Sequence, residues 1–126
     1  MFKTLIVEDN NTFRQSLKAT LGTEFPLMVI DEAAEGNEAM EKVRTFRPDL
    51  IFMDIKLPGE TGLDLTKKIK AADPSILIII LTSYDLPEYR EAAQQYGADY
   101  FISKGSSTRD EILELVQSIL SDRGLD

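Results

Sequence analysis

Five short apolar runs recur along the chain, each bounded by polar or turn-forming residues. They are rich in Ile, Val, Leu and Phe and lie at residues 4–8, 27–31, 50–54, 76–82 and 99–102. Runs this continuous are typical of strands buried on both faces, as in a parallel sheet covered by helices. We therefore interpret the five runs as strands.

The segments between the runs have the period of amphipathic helices. Capping-box patterns predict helix starts at Thr61, Asp85 and Thr108, and Gly97 is placed to end the fourth helix. The clearest apolar stripe lies in the last helix and consists of Ile112, Leu115, Val116, Ile119 and Leu120. Strict alternation of strand and helix predicts an α/β fold with right-handed crossovers and helices on both faces of a parallel sheet.

Length and composition limit the function classes. A chain of 126 residues fits one domain with a single core, and we place the domain at residues 1–121, with 122–126 as a tail or the start of a linker. The net charge of −8 argues against direct contact with nucleic acid or an anionic membrane surface. Because the chain has no Cys and no His, disulfides, Cys-based zinc sites and Ser-His-Asp catalysis are excluded.

Neither the amino terminus nor any apolar run suggests a membrane segment. The first residues lack the long apolar region and cleavage site of a signal peptide. The longest apolar stretch, Ile76 to Leu81, is far too short to span a bilayer. A cytoplasmic protein is expected.

Acidic residues follow two of the predicted strands, where the apolar residues end. Glu8 and Asp9 come after Val7, and Asp54 comes after Met53. In a doubly wound sheet of order 2-1-3-4-5 these two strands are neighbours, and ligands bind beyond their carboxyl ends. Three carboxylates at that edge form a pocket for a hard cation such as Mg²⁺, which takes oxygen ligands.

The same edge offers groups that could handle a phosphoryl group. A bound divalent ion would neutralise charge that otherwise repels a phosphate, and Asp54 is the candidate nucleophile because it stands alone on its strand. Thr82 ends the fourth run and Lys104 follows the fifth. A hydroxyl can hydrogen-bond a phosphoryl oxygen and an ammonium can pair with it. We expect these groups to converge.

Each of these residues has an ordinary structural interpretation when it is taken alone. Glu8 and Asp9 are also typical of a solvated strand end or a helix cap, and Asp54 of a turn. Thr82 is typical of a β-branched strand residue and Lys104 of a solvated surface lysine. Their shared placement at strand ends favours a site.

The combined motifs resemble the receiver domain of two-component response regulators over nearly the whole chain. The matching segments, in chain order, are Val7-Glu8-Asp9, Phe52 to Gly59 with Gly62, Leu81-Thr82-Ser83, and Gly97 to Lys104. Each segment alone is a weak signal, but their order and spacing together are specific. The resemblance implies a flavodoxin-like, doubly wound (βα)5 three-layer sandwich of order 2-1-3-4-5, and a phosphoacceptor switch rather than a metabolic enzyme.

Carried over residue by residue, the resemblance implies a phosphoacceptor and a metal site. Asp54 would accept a phosphoryl group from the phosphohistidine of a sensor histidine kinase. Mg²⁺ would be bound by Glu8, Asp9, Asp54 and the backbone carbonyl of Lys56. The reaction would be an in-line transfer, with catalysis by positioning and charge neutralisation.

The resemblance also implies a switch. Thr82 and Lys104 would bind the phosphoryl oxygens, and Phe101 would be the switch aromatic, although an aromatic in an edge strand is also typical of plain core packing. We expect Thr82 to move toward the phosphoryl group, Phe101 to turn inward, and the face formed by the fourth helix, fifth strand and fifth helix to change.

One position departs from the family pattern. Family members often carry Lys-Pro with a cis peptide bond where this chain has Lys104-Gly105. A cis bond before a residue other than proline costs about 3 kcal/mol, so we expect a trans peptide or a rearranged loop. The Lys-Gly-Ser-Ser sequence is similar to receivers that precede a helix-turn-helix output domain. A DNA-binding output domain, a partner protein and a phosphorylation-dependent homodimer are therefore candidate partners.

Three other functions fit the sequence less well. A haloacid-dehalogenase-like phosphatase usually has a second acid two residues after its nucleophile, where this chain has Lys56. A nucleotide or flavin module needs a Ser/Thr/Gly-rich loop after the first strand, where this chain has acids. A degenerate receiver that acts as a constitutive interaction module is disfavoured because every site residue is retained. Slow self-phosphorylation from small phosphodonors and slow hydrolysis are expected of a receiver.

Overall fold

The computed structural model describes residues 1–125, in which five strands alternate with five helices. The strands are β1 (Lys3–Val7), β2 (Val29–Ala33), β3 (Leu50–Met53), β4 (Leu77–Thr82) and β5 (Tyr100–Ser103). The helices are α1 (Asn11–Glu24), α2 (Gly36–Thr45), α3 (Gly62–Ala72), α4 (Pro87–Gln95) and α5 (Arg109–Asp122).

All neighbouring strands pair in parallel, in the order β2-β1-β3-β4-β5. The predicted doubly wound fold is therefore confirmed. The register brings the strand ends to the same edge, because Val7 pairs with Met53 and Thr82 pairs with Ser103, while β4 runs two residues beyond β3. The residues just beyond the strands consequently meet at one edge of the sheet.

The core lies on both faces of the sheet. Along β3, Ile51 and Met53 belong to the apolar cluster that packs with α2, α3 and α4, whereas Leu50 and Phe52 belong to the cluster that packs with α1 and α5. All four side chains are almost completely buried. Because buried side chains of this size each contribute about 2–5 kcal/mol when truncation to alanine is the measure, β3 is a firm base for the residues after it.

Two of the predicted helix starts are confirmed. Thr108 and Glu111 form a full capping box at the start of α5, and Thr61 accepts a hydrogen bond from the backbone N–H of Asp64 at the start of α3. The predicted end of the fourth helix is also confirmed, because Gly97 follows α4 with a φ of 95°. That left-handed conformation is one that glycine adopts at little cost.

The predicted cap at Asp85 is wrong. Leu86 occupies the N-cap position of α4 without a side-chain cap, and Pro87 begins the helix. Proline is well suited to that position because its missing N–H would have had no helical partner and its φ is already helical. Both carboxylate oxygens of Asp85 instead accept hydrogen bonds from Arg90.

The second strand begins two residues later than predicted. The apolar run at 27–31 begins with Leu27, a residue that is 88% exposed and precedes the strand. Pairing with β1 runs from Val29 to Ala33 and therefore includes the acids Asp31 and Glu32. Because β2 is an edge strand, its polar side chains can reach solvent and basic residues of the neighbouring helices.

The carboxyl-terminal helix ends close to the predicted domain boundary. Helix α5 ends at Asp122, within the predicted tail, and the Leu125 N–H donates to the Leu120 carbonyl. Asp126 lies outside the described residues, so the boundary stays a prediction. Among residues 1–125, no helix has both the length and the apolar character needed to cross a membrane.

The capping box of α5 gives a first testable prediction. Replacing Thr108 by Ala removes the side-chain acceptor for the Glu111 N–H, and we expect the free energy of unfolding to fall by about 1 kcal/mol in a urea titration. The matched control is Ser106→Ala in the same loop, which we expect to change it by less than about 0.5 kcal/mol. An equal loss in both variants would contradict a specific role for the cap.

Candidate functional site

Three carboxylates meet at the edge where β1 and β3 end. Glu8 and Asp54 are buried, with 3% and 7% of their surface exposed, whereas Asp9 is exposed. Each offers a carboxylate oxygen, and these oxygens all lie within 4.8 Å of one another. The predicted convergence of the three acids is present in the structure.

Backbone hydrogen bonds position the two buried acids. The Glu8 N–H donates to the Ala33 carbonyl and the Asp54 N–H donates to the Val7 carbonyl, both at 3.0 Å, so the strand pairing continues one residue past β1 and β3. The Asp54 carboxylate accepts a hydrogen bond from the Ile55 N–H at 2.7 Å. The site is therefore built on the sheet rather than on a long loop.

Lys104 joins the two buried acids. Its ammonium pairs with the Glu8 carboxylate and lies 3.2 Å from Asp54 Oδ2. It also lies 4.1 Å from the centre of the Phe13 ring, which is within the range of a cation–π interaction. The Lys104 N–H donates to the Thr82 carbonyl at 2.9 Å, which ties the residue after β5 to the end of β4.

Burial, hydrogen bonds and nearby charges all shift the pKa values of Glu8 and Lys104. Burial raises the pKa of Glu8, and the nearby Asp54 charge adds to that rise, while hydrogen bonds from Lys104 and the Asn10 N–H oppose it. Burial alone would lower the pKa of Lys104, but the hydrogen bond to Glu8 and the charge of Asp54 outweigh it, so the pKa is raised. The lysine therefore stays charged between two acids that repel each other.

The charge balance and the ligand atoms fit a hard divalent cation. The cluster holds three carboxylates and one ammonium, which contacts Glu8 and Asp54, so the ionised acids leave two negative charges in excess. Mg²⁺ prefers oxygen ligands and commonly uses one or two carboxylates, with waters and phosphate oxygens completing its shell. Glu8, Asp9 and Asp54 supply such oxygens.

Thr82 and Phe101 lie on the adjacent strands β4 and β5. Thr82 is fully buried, and its Oγ1 accepts a hydrogen bond from the Tyr84 N–H at 3.2 Å. Phe101 is half-buried, and the Arg90 guanidinium lies 4.6 Å from the centre of its ring. The aromatic therefore packs between the core and a surface arginine, whereas the threonine is enclosed.

The side chain of Lys56 contacts aromatic rings near the start of α4. Its ammonium lies 5.2 Å from the ring centre of Tyr84 and 5.5 Å from that of Tyr89, and the two rings meet edge to face. The exposed Lys56 lies two residues after Asp54. These contacts connect the loop after β3 with α4.

The close approach of Gly62 supports the loop beneath Asp54. The Gly62 N–H donates to the Ile55 carbonyl at 2.8 Å. A Cβ at this position would overlap the backbone carbonyl oxygen of Asp54. Glycine is therefore required here for space, because its φ is not in the left-handed region.

The predicted trans geometry of the Lys104–Gly105 peptide is confirmed, since residues 1–125 contain no cis peptide bond.

Sequence reasoning did not identify three residues that contact the site. Phe13 and Arg14 lie on α1, and Tyr89 lies on α4. The sequence signal for Phe13 and Arg14 is their position a few residues after the acidic pair, and Tyr89 has no such signal.

Comparison with known proteins identifies the class. The family described as response regulator receiver domain matches residues 4–117. Response regulator GacA from Pseudomonas syringae pv. syringae (strain B728a) is 31% identical over 119 residues, which cover 94% of this chain and 54% of that protein. The chain thus spans about half the length of the curated relatives it matches.

Solved structures of response regulators have the same fold as this chain. A response regulator receiver domain protein (CheY-like) from Methanospirillum hungatei JF-1 superposes with a TM-score of 0.89 at 28% identity, covering 98% of this chain and 97% of that one. Response regulator protein TrrA from Thermotoga maritima, in complex with Mg²⁺-BeF, gives a TM-score of 0.84 at 34% identity, covering 95% and 100%.

The chain therefore belongs to the response regulator receiver domain family, whose members are the phosphoacceptor switches of two-component signal transduction. The family resemblance seen in the sequence is confirmed.

The contact beneath Asp54 yields a second prediction. We expect Gly62→Ala to lower the free energy of unfolding by about 3 kcal/mol in urea, because the added methyl group must displace the Asp54 backbone. The matched control is Gly22→Ala in α1, where nothing lies within 4 Å of the added carbon. There we expect a gain of about 0.5–1 kcal/mol. A neutral Gly62→Ala variant would show that the loop can move freely.

Proposed function

We propose that Asp54 is the phosphoacceptor of this receiver domain. The observation that carries the proposal is the position of its buried carboxylate, with an oxygen within 4.8 Å of those of Glu8 and Asp9 and 3.2 Å from the Lys104 ammonium. Asp54 follows β3, at the strand end where ligands of doubly wound sheets bind.

The proposed cofactor is Mg²⁺, with Glu8, Asp9, Asp54 and the Lys56 backbone carbonyl as its protein ligands. The uncompensated negative charge of the pocket and its oxygen donors support this choice. Bound Mg²⁺ supplies charge neutralisation for the incoming phosphoryl oxygens. The Mg²⁺-BeF complex of TrrA supports the assignment, because beryllofluoride resembles a phosphoryl group in shape and charge.

The proposed donor is the phosphohistidine of a sensor histidine kinase. An Asp54 carboxylate oxygen forms a bond to phosphorus while the bond from phosphorus to the histidine nitrogen breaks, and that nitrogen keeps the bonding electron pair. Lys104 and Thr82 bind the phosphoryl oxygens, the first by charge and the second by its hydroxyl. Catalysis is by positioning and charge neutralisation.

The proposed signal is a change in the surface formed by α4, β5 and α5. Thr82 moves toward the phosphoryl group, and Phe101 turns inward into the space it leaves. Phe101 must then leave the Arg90 guanidinium, a contact worth about 0.5–1 kcal/mol at an exposed site. Moving the population from 1:99 to 99:1 requires about 5.5 kcal/mol of preference for the active state, so this contact is a minor obstacle.

The proposed partners are inferred from the family and from chain length. The matched relative GacA is about twice as long as the matched segment, which supports an output domain linked to the receiver in the natural protein. The Lys-Gly-Ser-Ser sequence at residues 104–107 is similar to that of receivers that precede a helix-turn-helix domain, and this likeness favours a DNA-binding output. A partner protein and a phosphorylation-dependent homodimer are alternative outputs, and the cytoplasmic location stays a prediction.

Phosphorylation by a small donor tests the acceptor. Incubation with acetyl phosphate and Mg²⁺ should add one phosphoryl group, measured as intact-protein mass, and the adduct should be absent from Asp54→Asn and from samples without Mg²⁺. The matched control Asp110→Asn, an exposed acid in α5, should keep the adduct. An adduct in Asp54→Asn would refute the assignment. No adduct on the wild type despite Mg²⁺ binding would favour an acceptor that only a kinase can load, or a constitutive interaction module.

The switch has a separate test. We expect Thr82→Ala to be phosphorylated to nearly the wild-type extent but to lose most of the phosphorylation-induced amide shifts of α4, β5 and α5 in NMR spectra. Thr82→Ser keeps the hydroxyl and should keep the shifts. Wild-type shifts in the phosphorylated Thr82→Ala variant would eliminate the threonine from the switch.

A further inference from the structure

Arg14, near the start of α1, links the loop that carries the acidic pair to the sheet edge. Its guanidinium donates to the backbone carbonyl of Glu8 at 2.6 Å, to Glu32 Oε1 at 2.9 Å and to Asn11 Oδ1 at 2.8 Å. Only 13% of its side chain is exposed. A planar fork of donors suits several acceptors at once, which a lysine ammonium does less well.

The contact with the Glu8 carbonyl matters because Asp9 is the next residue in the chain. Asp9 makes no side-chain hydrogen bond or ion pair with the described residues. The backbone on either side therefore sets the position of its Cβ and so which atoms its carboxylate can reach. On the far side, Asn10 is fixed because its side chain caps α1 and its carbonyl accepts the Arg14 N–H. On the near side, the Arg14 guanidinium holds the Glu8 carbonyl.

We propose that Arg14 is a positioning residue for the cation site. By binding the Glu8 carbonyl it fixes the peptide between Glu8 and Asp9, and so keeps the Asp9 carboxylate within reach of the carboxylates of Glu8 and Asp54. The inference rests on the proposed Mg²⁺ site and adds to it a residue that touches neither the cation nor the phosphoryl group.

Glu32 on β2 keeps Arg14 in place. It accepts hydrogen bonds from Arg14 and also from Lys18. Burial would raise the pKa of Glu32, but the hydrogen bonds from these two cations outweigh it and lower the pKa. Glu32 therefore remains charged. It holds the Arg14 guanidinium against β2, in addition to the contact of that guanidinium with the loop after β1.

The sign of the effect separates positioning from simple electrostatics. A positive charge near a cation site repels the cation, so its removal should tighten Mg²⁺ binding if charge alone mattered. Loss of a group that orients the ligands should weaken binding instead, commonly by 10–100-fold for groups that support metal ligands. The two explanations thus predict opposite changes.

The test compares Arg14→Gln with Lys18→Gln by calorimetric titration of Mg²⁺ into the unphosphorylated protein. Both variants lose one positive charge and one ion pair with Glu32, but only Arg14 touches the Glu8 carbonyl. We expect the dissociation constant to rise about tenfold in Arg14→Gln. In Lys18→Gln, whose lysine is 43% exposed, we expect it to stay within about twofold because an exposed pair contributes little.

Each outcome decides the matter. If the wild type does not bind Mg²⁺, the proposed metal site fails and the inference fails with it. If the wild type binds and Arg14→Gln binds equally well or more tightly, only the inference is overturned. Thermal unfolding in EDTA checks that the variants are folded.

Should Arg14→Gln not fold, Arg14→Lys takes its place. It keeps the charge and most of the apolar stem, but its single ammonium cannot reproduce the fork between the Glu8 carbonyl and Glu32. We expect Mg²⁺ binding weaker than that of the wild type. Wild-type affinity in Arg14→Lys would overturn the inference.

Discussion

Repulsion between the carboxylates at one edge of the sheet is the physical constraint on which the arrangement of the site depends. Burying a charge is unfavourable unless it is paired and hydrogen-bonded, yet Glu8 and Asp54 are both buried. Lys104 makes this tolerable by contacting both acids, and Phe13 supports the ammonium from the other side. The single ammonium of Lys104 cannot balance three carboxylates. The pocket therefore keeps a net negative charge, which favours binding of a further cation at the place where a phosphoryl group would bind.

The two sides of this edge differ in how firmly their residues are held. The acids extend from buried strands, and Gly62 allows the backbone to close tightly below Asp54. On the side of α4, by contrast, the contacts are exposed ones: Lys56 over tyrosine rings and Arg90 over Phe101. Exposed cation–π and ionic contacts are worth about 1 kcal/mol or less each. The fold thus fixes the positions of the carboxylates, whereas the contacts beside α4 can rearrange at low cost in free energy.

Local sequence patterns predict the parts of the molecule that local physics determines. Continuous apolar runs imply buried parallel strands, whose carboxyl ends meet at one edge of a sheet. The order that makes β1 and β3 neighbours, and so brings Glu8, Asp9 and Asp54 together, is what the family resemblance implied. The start of β2 was not predictable, because pairing with β1 rather than apolar content decides it. The missing cap at Asp85 has a local cause, because Pro87 begins α4 and Asp85 binds Arg90 instead. The contact of Arg14 with Glu32 joins two elements 18 residues apart, and no periodicity encodes it.

The acids of the edge strand have a consequence for the behaviour of the protein in concentrated solution. An edge strand presents unpaired backbone groups on which a strand of another molecule can add. On β2, Asp31 and Glu32 place charges along this edge, and basic residues of α1 and α2 lie against them. An incoming strand would have to displace these ion pairs and desolvate the acids. Glu32, which holds Arg14 in place, therefore also disfavours aggregation by strand addition at the β2 edge of the sheet.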